Sequence, residues 1–125
     1  MSESLFASPR TFQVWLYTVS HSILLLRSVK DERFSTRIDV LFKPVRFMSV
    51  PATLTGIDVR VVDRADLHGP EHASLVGACG PKDEVFALSG QTGGAWVVGG
   101  VMAFHEDEGA YSDPSHFDVP RMVWQ

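Results

Sequence analysis

The alternating apolar segments of this chain follow one another too closely for anything but antiparallel strands. From residue 12 to residue 62 they are separated only by Ser20, His21 and Ser22, by the polar stretch 29–36, and by short breaks around Pro44 and between Pro51 and Gly56. A parallel crossover needs a dozen or more residues, and no interval before residue 63 offers that. The stretch 63–83 is the one candidate for a crossover.

Each segment carries the period of two that a strand imposes. Residues 12–19 put Phe12, Val14, Leu16 and Thr18 on one face and Gln13, Trp15, Tyr17 and Val19 on the other. Both faces are largely apolar, so this strand is expected to be covered on both sides. Residues 23–28 form a second strand of the same character, and Ser20, His21 and Ser22 suit the tip of a hairpin between them. In 37–42, Ile38, Val40 and Phe42 face inward while Arg37 and Asp39 face outward. Pro44 then interrupts, because proline cannot donate to a ladder. The pattern allows 37–50 as one bent strand or as two. Residues 57–62, 84–89 and 95–104 complete the series, and Gly99 and Gly100 inside the last mark a bulge or the close approach of another backbone.

Residues 65–79, ADLHGPEHASLVGAC, differ in texture. Pro70 suits a first helical position, Glu71 an N-terminal turn, and Gly77 and Gly80 a helix end. These residues predict a short helix near 70–78. The fold class that follows is mainly β: a curved antiparallel meander of six or seven strands, rolled into a half-barrel or closed over that helix. No repeat, linker or low-complexity stretch divides the chain, so 1–125 is read as a single domain.

Composition limits the function classes. A net charge of −4 argues against a general nucleic-acid binder. Arg27, Lys30, Arg33, Arg37, Lys43 and Arg46 leave room for a local basic patch in the first half, while most acids come after residue 65. The single cysteine, Cys79, cannot form an intrachain disulfide. The longest strongly apolar run, 23–26, is far short of the roughly 20 residues a membrane helix needs. With no signal-like segment at the start, a cytoplasmic location without membrane contact is expected.

Chemical motifs are sparse. Ser20-His21-Ser22 has the residue types of a hydrolase, but neighbours in a hairpin tip cannot aim at one another as base and nucleophile. SGQTGGAWVVGG lacks the lysine and the following helix of a phosphate loop, so its glycines read as a turn. His68, His72 and Cys79 are a weak zinc set, because Gly69-Pro70 starts the helix after His68 and no C-x-x-C pair is present. The acids of HEDEGAYSD do not match a calcium loop. Arg37 with Asp39, and Asp58 with Arg60, suggest charge pairs on strand faces. No catalytic residue, metal or cofactor is assigned.

Two functions remain. The first is a small non-enzymatic interaction domain, of an inhibitor or antitoxin-like kind, that takes a protein partner or a second copy of itself. Its contact residues are expected among aromatic and apolar side chains late in the chain: Tyr111, Phe117, Met122 and Trp124. The ending FDVPRMVWQ is expected to dock on the domain's own sheet edge or on a second copy. The alternative is a ligand-binding or enzyme domain with a pocket in the barrel mouth near Gly99, Gly100 and His105.

Overall fold

The computed structural model describes residues 4–90, 93–110 and 112–117. Six strands form a closed barrel: β1 (Ser4–Thr18), β2 (Ile23–Ser28), β3 (Arg37–Ser49), β4 (Thr53–Val62), β5 (Glu84–Gly90) and β6 (Gly93–Asp107). Around the ring the order is β1-β2-β3-β6-β5-β4, and every neighbouring pair is antiparallel. The meander is thus present as two three-stranded halves, β1–β3 and β4–β6. Residues 50–52 carry the chain from β3 across one end of the barrel to β4, which pairs with β1 instead of β3. Val50 packs against the core at that crossing. Residues 37–49 are one strand, bent at a cis Lys43–Pro44 peptide and shifted in register between Val45 and Phe47.

The alternation in the sequence becomes two layers of packing, except in β1, where a register shift between Val14 and Leu16 puts Tyr17 on the core side and Leu16 outside with Trp15, the reverse of the simple alternation. Inward-facing Phe12, Leu24, Leu26, Val40, Phe42, Leu54, Val59, Leu88 and Val97 fill the barrel and lose all contact with water. Each such side chain contributes about 1.5–3 kcal/mol by leaving water. On the outside, Ile23, Leu25 and Leu41 form a second cluster with Trp15, Leu16 and Phe117. A third, Leu75, Val85 and Val98, lies against Phe47, Leu67 and Trp96. The strands apolar on both faces are therefore those covered from outside.

Two segments provide the cover. One is the stretch between β4 and β5, where Gly69 turns with φ 83° and Pro70–His72 makes a 3₁₀ turn leading into α1 (Ala73–Ala78). Leu75 of α1 is buried in the third cluster. The other is residues 108–110 and 112–117, which run over β2, β3 and β6. Three cations bind their carbonyls: Lys30 to Glu108 (2.9 Å), Arg27 to Asp113 (3.2 Å), and Arg37 to Ala110 (2.9 Å), Asp113 (2.7 Å) and Pro114 (3.1 Å).

This covering changes the standing of the outward-facing polar residues. Asp39 is opposite Arg27 in the ladder, and the two form a bidentate pair, Nε–Oδ1 2.7 Å and Nη2–Oδ2 3.0 Å, with each side chain 2% exposed. Arg37 is opposite Asp107 and grips both its oxygens, at 3.0 and 3.1 Å. Arg46 meets Asp83 at 3.4 Å. Of the six basic residues of the first half, Arg27 and Arg37 are buried in these pairs, while Lys30, Arg33, Lys43 and Arg46 are exposed.

At the barrel end formed by the start of β1 and the end of β2, Arg10 acts as a plug. It donates to Ser28 Oγ (3.0 Å) and Thr36 Oγ1 (3.0 Å) and to carbonyls of the 29–36 loop, and Phe34 lies 4.3 Å from its guanidinium carbon. Among the described residues no helix is long and apolar enough to cross a membrane.

Candidate docking edge

Strand β6 is longer than the strand beside it. Its first half pairs with β5, from Gly90–Gly93 to Glu84–Gly99. Its second half, residues 100–107, pairs with β3 and, among the described residues, with nothing on the other side. Among the described residues, the amide and carbonyl groups on that side have no strand partner. Val101 and Phe104 are 53% and 51% exposed there, on opposite faces of the strand: Val101 is opposite Lys43 and Phe104 is opposite the core residue Val40. Phe104 is not loose. Its ring lies 4.7 Å from that of Phe6 on β1, which meets Phe12 of the core edge-on at 6.0 Å. One face of Phe104 is anchored to the barrel and the rest is presented outward.

A cleft of about 820 Å³ opens between the end of β4 and the start of β5. Because Glu84 is opposite Gly99, this cleft adjoins the point where the free edge of β6 begins. Asp63, Asp66, Asp83 and Glu84 line it together with Arg60 and Arg64. Arg60 binds Asp58 (2.9 Å) and Arg64 donates to the Gly80 carbonyl (3.3 Å), so both cations are engaged locally. At the far end of the edge are Glu106, Asp107 and Glu108. Arg37 holds the Asp107 carboxyl below the usual carboxylate range, with help from the Gly109 amide. Glu106 accepts from the Thr36 hydroxyl and is itself exposed.

The structure does not assemble a pocket from Gly99, Gly100 and His105. A Cβ on Gly99 would be 2.6 Å from the Pro44 carbonyl oxygen, and one on Gly100 2.8 Å from Pro44 Cδ. The glycines admit the bent backbone of β3, so the space that sequence reasoning gave to a ligand is filled by Lys43 and Pro44. His105 is opposite Asp39 on the outer face, and its ring stacks on His116 with centroids 3.7 Å apart. At the corresponding barrel end a cleft of about 460 Å³ is lined by Phe6, Arg10, Phe34, Thr36 and Glu106.

His68, His72 and Cys79 each have other partners or exposure. His72 Nδ1 donates to the His68 carbonyl (2.9 Å), and its ring meets Trp96 edge-on. The Cys79 thiol donates to the Asp83 carbonyl (3.4 Å), and burial pushes its pKa up. Among the described residues no group of three or more His, Cys, Asp or Glu side chains is arranged to hold a metal. His21 is an exposed turn residue beside Ser20 Oγ (2.9 Å).

Of the expected contact residues, Phe117 packs on Ile23, Leu25 and Leu41 and meets the His105 and His116 rings edge-on. Tyr111, Met122 and Trp124, and with them the ending 118–125, lie outside the described residues. The β6 edge was missed by sequence reasoning, although one signal was present: 95–104 outlasts 84–89, so two strands joined by a tight hairpin cannot pair over their full lengths. No protein-family model, curated protein or solved structure matches this chain.

Proposed function

We propose that the protein is a small non-enzymatic interaction domain and that it meets its partner, another protein, along the free edge of β6. The observation that carries this reading is the unpaired stretch 100–107 with Val101 and Phe104 half exposed on it and Phe104 braced by Phe6. Aromatic side chains anchored on one side and open on the other are the usual centres of protein interfaces. Phe117, by contrast, is taken up by the protein's own outer cluster.

The test uses the full-length protein and a Phe104→Ser/Val101→Thr variant as baits in lysate, with thermal melts of both. A partner retained in stoichiometric amount by the first and lost by the second, with both baits folded, supports the reading. A metabolite that raises the melting temperature by mass action, with no retained protein, would overturn it in favour of a ligand-binding domain.

A further inference from the structure

We infer, resting on that reading, that the partner contributes an extended basic segment that joins β6 as an added strand. Unpaired backbone groups in a row are satisfied best by another strand, which supplies donors and acceptors at the same spacing. Residues 100–107 span about 26 Å at roughly 3.3 Å per residue, room for a segment of similar length.

Two of the usual guards against strand addition are missing from this edge. Between Gly100 and Asp107 there is neither lysine nor proline. The start of β1, which also outruns its neighbour β2, differs: it carries Pro9, and Arg10 ties it to the 29–36 loop. An edge blunted in one place and left open in another is consistent with a surface kept for pairing.

Charge selects the occupant. The edge runs from the cleft, where Asp66 and Glu84 are exposed and Asp83 is taken up by Arg46, to the exposed Glu106 and Glu108, with Lys43 of β3 the exposed cation opposite Val101. Its middle, Val101 to Phe104, is apolar. A matching segment alternates apolar side chains with lysine or arginine. A second copy fits badly. Antiparallel self-pairing about the middle of 100–107 would bring Glu106 and Glu108 of one chain to the acidic cleft of the other, and like charges so placed oppose association.

The experiment compares three decapeptides by titration against the full chain, with amide hydrogen exchange as the positional readout. The first alternates Val or Ile with Lys or Arg. The second replaces each Lys and Arg by Glu. The third keeps the first sequence but N-methylates alternate backbone nitrogens facing the edge. The basic peptide is expected to bind about tenfold or more tightly than the acidic one, to weaken with salt, and to protect amides within 100–107. The N-methylated peptide is expected to lose binding, since it cannot donate. Equal binding of basic and acidic peptides, full binding of the methylated one, no binding of any, or protection confined elsewhere would each overturn the inference. So would a concentration-dependent dimer of the free protein with 100–107 protected. If the peptides fail while Phe104→Ser/Val101→Thr still loses its partner from lysate, the interaction reading stands and strand addition falls. If the lysate partner is also insensitive to that variant, both fall.

Discussion

Replacing Asp39 by alanine should be among the most damaging single changes on the outside of this barrel. Arg27 is 2% exposed, and Asp39 receives two charge-assisted hydrogen bonds from it, at 2.7 and 3.0 Å. With the carboxylate gone, the guanidinium keeps its bond to the Asp113 carbonyl and its place 5.0 Å from the Trp15 ring. Arginine cannot escape the penalty by losing a proton. It must stay buried without its carboxylate partner or push residues 112–117 aside to reach water. Breaking a buried pair by removing one partner costs about 3–5 kcal/mol. For a domain of this size that is a fall in melting temperature of about 12–20 °C, taking roughly 4 °C per kcal/mol. Replacing both partners, Arg27→Met with Asp39→Ala, removes the orphaned charge. The double variant should lose less than the sum of the single changes, with a coupling of about 2–3 kcal/mol. Urea and thermal melts followed by far-UV circular dichroism measure all four corners of the cycle. A cost below about 1 kcal/mol for Asp39→Ala, or strict additivity in the double variant, would refute the argument that this pair is sealed from solvent and coupled.

Gly99→Ala should destabilise by more than about 2 kcal/mol, since its Cβ would collide with the Pro44 carbonyl, whereas Gly77→Ala, in α1 with nothing within 4 Å, should stabilise by about 0.5–1 kcal/mol; thermal melts of both decide. Cys79 should react slowly with Ellman's reagent in the native protein and fully after denaturation, because burial raises its pKa and the thiol binds the Asp83 carbonyl; fast labelling maintained at pH 6 would contradict this. The Asp107 carboxyl is held below its ordinary value by Arg37, so its contribution is present above the unfolded carboxyl range, about 4, and is lost as pH falls through the lower folded value. Melts from pH 7 to pH 3 should therefore show Asp107→Asn less stable than the natural chain at neutral pH, with the gap closing below about pH 4; a gap independent of pH would count against the ion pair.

The sequence by itself determined roughly how many strands there are, where they lie and which way they run, although β1 begins at Ser4, eight residues before its apolar alternation. Strand β2 occupies residues 23–28 and the hairpin falls on 20–22, because a period of two ending at a Ser-His-Ser step is a local signal. The entry to α1 at Gly69-Pro70 was equally legible, since both residues restrict their own backbone. Antiparallel direction followed from the shortness of the gaps. Tertiary structure decided what each strand pairs with and what covers it. Nothing in residues 50–52 announces that β4 will cross the barrel end to pair with β1, because pairing depends on strands distant in sequence. Arg27, Arg37 and Asp39 read as solvent-facing because alternation reports which face a side chain occupies. It does not report that residues 108–110 and 112–117 will seal that face, and this sealing turns ordinary surface charges into buried pairs. Gly99 and Gly100 were legible as a close approach, but their neighbour, the bent backbone at Lys43 and Pro44, is set by the ring of strands. The free edge of β6 arises the same way: it exists because β5 stops opposite Gly99 while β6 continues to Asp107, a mismatch of lengths that has meaning only once the two are paired.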